Sequence, residues 1–309
     1  MTAFVIVNPK AANGHTGRDW TKIKPALEKA FPLMQVAQSR ARGEIARLVR
    51  AALKEGHLDI IAVGGDGTIN EAINGFFENG APVSPDAVFG FVSPAGDFRR
   101  TFGIPANYDA AIARLKQARI RRLDVGHVAC LSLKGEPVSR YFVNVASFGL
   151  SGRMAAKLNR ARIARLFGGA FAYAFHAAAA LIGWRAQRVR LFTDAGYDEI
   201  AGITNVAVAN GRWFGGGLRV APGAEPGDGL FEIVVMGGAP RRRLIPLLKS
   251  WRAGAPPSDP QLRRVRATHL TAAPTVDTKG AVFVETDGEC VGLLPATFQI
   301  LPGAINLRC

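Results

Sequence analysis

From residue 3 to about residue 125, short apolar runs alternate with stretches in which apolar residues recur every three or four positions. That is the pattern of a parallel sheet joined by crossover helices. Ala3–Val7, Leu33–Ala37, Asp59–Val63, Ala87–Val92 and Ile120–Val125 are predicted strands. Asp19–Phe31, Glu44–Glu55, Ile69–Phe77 and Asn107–Gln117 are predicted helices, the second bracketed by Gly43 and Gly56. Beyond residue 125 the apolar period becomes two. Tyr141–Ala146, Val189–Phe192, Thr204–Ala209, Leu230–Val235, Ala281–Glu285 and Ala296–Ile300 are separated by Gly, Pro and Asp turns, which favours an antiparallel sandwich or barrel. The expected architecture is a Rossmann-like α/β domain over residues 1–125 followed by a β-rich sandwich domain over residues 126–309.

Leu166–Trp184 interrupts the second half with 19 residues free of Asp, Glu, Lys and Arg. The length would permit a membrane span. Ala and Gly dominate it, however, His176 sits in its middle, and arginines flank both ends without the asymmetry that orients a span. A buried or surface-docked helix is expected, and its functional alternative is an apolar wall for a lipid chain.

Composition adds bounds. The chain has 309 residues, 48% hydrophobic and 20% charged, enough for two cores that fold without disulfide staples. Cys130, Cys290 and Cys309 are too far apart for zinc or redox motifs and odd in number, so a reducing compartment is expected. The start, MTAFVIVNPK, has only a five-residue apolar run before Asn-Pro and lacks the basic and longer apolar regions of a signal peptide, so a location inside the cell is expected. Lys and Arg number 39 against 24 Asp and Glu, a net charge of +15, and a polyanionic partner follows. Nucleic acid, an anionic membrane surface and a phosphorylated small molecule all satisfy that charge. No nucleic acid is expected, because no RNP, zinc-finger or helix-turn-helix pattern occurs. Arg241, Arg242 and Arg243 open an apolar helix-like stretch, with Arg263, Arg264 and Arg266 nearby. These suit peripheral docking on an anionic leaflet or a solvated surface. The five histidines are scattered and are read as structural.

The sharpest chemical signal is Gly64-Gly65-Asp66-Gly67-Thr68-Ile69-Asn70-Glu71, set between an apolar strand and a helix. Glycines at such a junction let backbone N–H groups approach phosphate oxygens, and the helix N-terminus adds favourable partial charge. The motif is neither a Walker loop nor a dinucleotide fingerprint. An acidic Asp66 inside a phosphate cradle calls for a divalent cation, Mg²⁺. The alternative is a tight turn in which Asp66 caps the helix, for which one glycine would suffice.

The chain resembles the diacylglycerol kinase catalytic-domain family, which includes bacterial lipid kinases and the sphingosine and ceramide kinases. The resemblance rests on Asn8-Pro9 with Gly14, GGDGTINEAINGF at 64–76, Leu123-Asp124-Val125-Gly126, Phe142–Gly149, Ala221–Ala224 through Asp228-Gly229-Leu230, and Asp287-Gly288-Glu289. It implies a two-domain fold of the NAD kinase and lipid kinase type, with ATP in the cleft between the domains and a membrane lipid as acceptor. By resemblance Asn8, Gly14, Ser39, Gly64, Gly65, Gly67, Thr68 and Asn70 contact ATP. Asp66, Asp97 and Asp124 hold Mg²⁺ and its waters, and Glu289 is the general base. Glu225, Asp228 and Leu230 match a structural Mg²⁺ site, Asp228 through its carboxylate and the others through carbonyls; an Asp-Gly hairpin turn is the alternative there. The family's P-x-G-T-x-N-D-F loop is shortened to Pro94-Ala95-Gly96-Asp97-Phe98, which removes a hydroxyl and an amide and leaves Arg99 and Arg100 next in line. The resemblance implies a cytoplasmic lipid kinase, peripheral at the inner face of the membrane, that phosphorylates a diacylglycerol or a sphingoid or ceramide-type alcohol. Two alternatives stand beside it: a catalytically weak lipid- or nucleotide-binding regulator of the same fold, and an NAD kinase, which shares GGDGT.

Overall fold

The protein is described by a computed structural model covering residues 2–160, 184–238, 241–255 and 259–309. Two compact units result: Met1–Val125 with Gly303–Cys309, and Gly126–Pro302.

In the first unit β1 (Ala3–Val7), β2 (Met34–Gln38), β3 (Asp59–Val63) and β6 (Val88–Val92) form a parallel sheet in the order β2-β1-β3-β6. A minor hairpin of β4 (Phe77–Glu78) and β5 (Ala81–Pro82) precedes β6. Every residue of β3 is buried, which is why it reads as an unbroken apolar run. The helices are α1 (His15–Ala30), α2 (Glu44–Lys54), α3 (Asp66–Gly75), the short α4 (Phe98–Thr101) and α5 (Tyr108–Gln117). Helix α3 begins three residues before the sequence pattern predicts, because the glycine-rich turn itself supplies its first turn, with Gly65 extended at the N-cap. Helix α1 likewise starts early, at His15, after the N-cap Gly14, whose φ of 81° places it in the left-handed region.

Gly75 fixes how α2 and α3 pack. A Cβ there would lie 2.6 Å from both Ala46 O and Val49 Cβ, so only glycine lets the helices approach this closely. Gly75→Ala is expected to cost about 1–3 kcal/mol, read as a lower urea midpoint with unchanged slope. An unchanged midpoint would contradict the tight contact.

Gly303–Cys309 departs from the 126–309 assignment and belongs to the first unit. Asn306, Leu307 and Arg308 pair in parallel with Val88, Phe89 and Gly90, and Arg308 Nη2 meets Asp59 Oδ2 at 2.7 Å. Leu307 is buried there, so the chain end completes the edge of the parallel sheet.

The second unit contains the latter part of β7 (Ile120–Leu131), then β8 (Pro137–Phe142), β9 (Val145–Gly149), α6 (Leu150–Arg160), β10 (Gln187–Thr193), β11 (Asp198–Ala209) and β12 (Phe231–Gly237). After these come α7 (Arg241–Arg252), β13 (Leu262–Ala267), β14 (His269–Pro274), β15 (Phe283–Thr286) and β16 (Glu289–Arg308). The antiparallel pairings run β11-β10-β14-β16-β15-β9 and return to β11, because the first half of β11 pairs with β10 and the second half with β9. Inside this circuit Phe142 stacks on Phe231 and Phe148 on Phe298, both at 5.7 Å between ring centroids. Leu247 and Trp251 of α7 pack in a second apolar cluster with Val234 and Ala207.

The predicted strand Tyr141–Ala146 splits in two at Val143-Asn144, where the backbone turns its N–H groups to a side chain instead of a neighbouring strand. Strands β13 and β14 were not legible, since Arg263, Arg264 and Arg266 hide the alternation of the first. The predicted Leu166–Trp184 helix lies outside the described residues except for Trp184, which is buried. Among the described residues no helix is long and apolar enough to cross a membrane.

Candidate active site

The carboxyl edge of the parallel sheet gathers most of the predicted nucleotide-binding residues. Each residue just past a strand bonds back to its neighbour's last carbonyl: Ser39 N–H to Val7 O at 2.9 Å, Asn8 N–H to Val63 O at 3.0 Å, and Gly64 N–H to Val92 O at 3.0 Å. Ser39, Asn8, Gly64 and Ser93 are therefore aligned along the edge where open α/β sheets take ligands. Asn8 Nδ2 donates to Thr68 Oγ1 at 3.0 Å, and Asn8 Oδ1 accepts Lys10 N–H at 3.1 Å. The Asn-Pro turn is thereby tied to the first turn of α3. Thr68 also packs on Gly64, where a Cβ would come within 2.7 Å of Thr68 Cβ. Gly67 is exposed, with nothing within 4 Å of the position a Cβ would take, so a phosphate oxygen has room to reach the backbone at the helix N-terminus. Gly14 ends a left-handed run with Ala12 and Asn13, whose φ values are 51° and 56°. Asn70 is buried and faces Asn74, whose Nδ2 donates to Asn70 O at 2.9 Å.

The N-cap of α3 is Gly65, and Asp66 is the first helical residue. It reaches across to the shortened loop, where Oδ2 accepts Asp97 N–H at 2.6 Å and Oδ1 accepts Phe98 N–H at 3.4 Å. Gly96, with φ 124°, permits this approach, since a Cβ there would sit 2.6 Å from Asp66 Cγ. The loop that lost three residues is thus pulled onto Asp66, which brings the Asp66 and Asp97 carboxylates into one corner. Asp97 is buried and pairs with Arg100 Nε at 3.4 Å. Arg99 Nη1 turns back to Ile104 O at 2.9 Å; burial and Arg100 lower its pKa while Asp66 and Asp97 hold it up. Both arginines are therefore part of the loop's own bonding. Two neighbouring carboxyl groups supply hard oxygens of the kind Mg²⁺ takes, one or two carboxylates with waters and phosphates completing its shell. Asp124, also assigned to Mg²⁺ by resemblance, is buried and accepts Gly303 N–H at 2.7 Å.

At the second predicted cation site the carboxylates are paired with arginines. Asp228 Oδ2 pairs with the Arg266 guanidinium, Asp228 Oδ1 accepts Leu230 N–H at 2.9 Å, and the Glu225 carboxylate pairs with Arg212. The Glu225 carbonyl already accepts Gly227 N–H at 2.7 Å and Asp228 N–H at 3.2 Å. Arg212 and Arg266 supply positive charge in this loop.

In the second unit Glu289 follows a two-residue hairpin turn, with Thr286 opposite it and Asp287 and Gly288 at φ 47° and 90°. Glu289 is half-buried. Asp287, to which the sequence assigns no role beyond its place in the Asp287-Gly288-Glu289 motif, anchors this hairpin. Its carboxylate accepts Val143 N–H at 3.3 Å, Asn144 N–H at 3.2 Å and Val145 N–H at 3.0 Å. Asn144 Nδ2 donates onward to Trp213 O at 2.9 Å. The signal was present in the Asp-Gly pair and in the strand break at Val143-Asn144, but nothing in the order of residues connects positions so far apart.

Comparison with known proteins gives the following. Residues 2–128 match the model of the diacylglycerol kinase catalytic domain, and residues 144–309 match the YegS C-terminal NAD kinase beta sandwich-like domain. A Pseudomonas fluorescens protein named "Probable lipid kinase YegS-like" is 29% identical over 277 residues, which is 89% of this chain and 85% of the relative. A Mycobacterium tuberculosis protein named "Diacylglycerol kinase" is 26% identical over 264 residues, covering 84% of this chain and 79% of the relative. Among solved structures, a diacylglycerol kinase from Bacillus anthracis superposes with a TM-score of 0.69 at 21% identity, covering 99% of this chain and 96% of that one.

Proposed function

The chain belongs to the lipid kinase family marked by the diacylglycerol kinase catalytic domain and the YegS-type C-terminal domain, and on that premise we propose that it transfers the γ-phosphoryl group of ATP to the hydroxyl of a diacylglycerol or a sphingoid or ceramide-type lipid. The observation that carries this reading is the cradle at the carboxyl edge of the parallel sheet. There Asn8 is bonded to Thr68, Gly67 is open, and Asp66 and Asp97 share one corner. Asn8, Gly14, Ser39, Gly64, Gly65, Gly67, Thr68 and Asn70 orient the nucleotide by backbone approach and hydrogen bonding. Asp66 and Asp97 would hold Mg²⁺, which when bound supplies the positive charge that phosphoryl transfer requires. Glu289 takes the proton of the lipid hydroxyl. Asp124, which accepts Gly303 N–H, would join Asp66 and Asp97 through the waters of Mg²⁺.

The net charge of +15 supports docking on an anionic membrane at its cytoplasmic face, where each basic residue near the surface contributes about 1 kcal/mol. ADP formation measured over a panel of micellar lipids tests the acceptor class. A rise above the lipid-free rate with one lipid is expected. No rise with any lipid, together with ADP formation driven by NAD, would contradict the proposal in favour of a soluble acceptor.

A further inference from the structure

Beneath the Asp287-Gly288 turn three oxygen-to-oxygen contacts run in series from β15 through β9 and the first turn of α6 to β11. Glu285 Oε1 meets Ser147 Oγ, Ser147 Oγ meets Ser151 Oγ at 2.6 Å, and Ser151 Oγ meets Asn205 Oδ1 at 2.6 Å. Asn205 Oδ1 also accepts the Ser151 backbone N–H at 2.9 Å, which fixes the amide's orientation and makes that oxygen an acceptor only. The Ser151 hydroxyl hydrogen therefore goes to Asn205, and the Ser147 hydrogen goes to Ser151. No hydroxyl hydrogen is left for the contact with Glu285. Ser147 and Glu285 are both buried, at 0% and 1% exposure, so an ionised Glu285 would set two bare oxygens against each other away from water.

We propose that Glu285 is a neutral carboxylic acid that donates its proton into this serine chain and, through its other oxygen, positions the turn that carries Glu289. That other oxygen, Oε2, accepts Gly288 N–H at 2.8 Å, as the carbonyl oxygen of a protonated carboxyl does. Burial pushes the Glu285 carboxyl up to about 8, outweighing the contacts with Ser147 and Gly288 N–H, which lower it, and Asp287 adds a smaller rise. Of the elements packed against it, β9 brings no titratable group, and α6 brings Lys157 and Arg153, the latter over the Trp184 ring. Strand β8 brings Arg140 and Tyr141, and β16 brings Cys290, in register with Glu285, and Glu289. Two carboxyl groups of one turn thus take opposite states: Asp287 is a charged anchor in three amides, and Glu285 an uncharged link to α6 and β11. The positioning role rests on Glu289 being the base proposed above; the charge state of Glu285 does not.

Glu285→Gln tests both parts, because its amide N–H replaces the acid proton toward Ser147 and its oxygen still accepts Gly288. A folded-state value raised from 4.5 to about 8 contributes stability that is fully present below about 4.5 and is lost as pH rises through about 8. The wild-type Tm is expected to fall relative to that of Glu285→Gln across this window. The wild-type kcat is expected to decline as pH passes about 8, with the decline absent in Glu285→Gln and the KM for ATP unchanged within about twofold. Parallel pH dependence of Tm in the two proteins would overturn the neutral-acid assignment. A diverging Tm with identical kcat profiles would overturn the positioning role. A diverging Tm in a protein that phosphorylates no lipid would support the neutral acid and overturn both the positioning role and the kinase reading on which it rests. Should Glu285→Gln fail to fold, the infrared carbonyl band of a protonated buried carboxyl in the wild-type protein, present at about pH 6 and lost at about pH 9, decides the charge state.

Discussion

Glu289→Ala is expected to lower the rate of lipid phosphorylation by about 10²–10⁴-fold, the usual contribution of a positioned general base. The fold should survive. Glu289 is half-buried, its place opposite Thr286 is held by the backbone, and the anchoring of the turn falls to Asp287 and Glu285. The thermal transition should stay close to that of the wild type, as for substitutions that leave the packed core intact. The KM for ATP should change little, because the nucleotide contacts proposed above lie in the other unit. Steady-state kinetics beside a thermal melt checks all three expectations together. Full activity in a folded Glu289→Ala protein would remove Glu289 from the role of base.

Asp287→Ala is expected to be strongly destabilising, by about 3–5 kcal/mol. Three backbone N–H groups lose a charged acceptor at the break between β8 and β9, and the replacement must hold a left-handed φ of 47° that alanine disfavours. Asp287→Asn keeps an oxygen where Oδ1 now accepts from Asn144 and Val145, so it should lose roughly half as much. Urea unfolding of the three proteins gives the ordering, and an Asp287→Ala midpoint within error of the wild type would contradict the anchor.

The parallel half was legible because its strands are buried on both faces and its turns are punctuated by glycine. Asp59–Val63 was predicted residue for residue. The β-rich half was legible as a class but not strand by strand, since β13 carries three arginines among six residues and β16 runs through 20 residues of mixed pattern. At the site, the GGDGT turn and its place between strand and helix could be read directly. The bond from Asp66 to Asp97 could not, because it depends on a shortened loop closing over Gly96. The Arg266 guanidinium against Asp228 was equally hidden, since only the folded register brings the two together. The Glu285 chain joins residues from four elements, and no local sequence pattern marks a buried acid whose partners are serines.

Transfer of label from γ-labelled ATP to an organic-extractable product is the most direct test of phosphoryl transfer to a lipid. Purified protein would be incubated with Mg²⁺ and mixed micelles of diacylglycerol, ceramide, sphingosine or phosphatidylglycerol, beside an Asp66→Ala control. The account predicts label in the organic phase with one of these lipids and none with the control. Label confined to the aqueous phase, or the same organic label from Asp66→Ala as from the wild type, would contradict it.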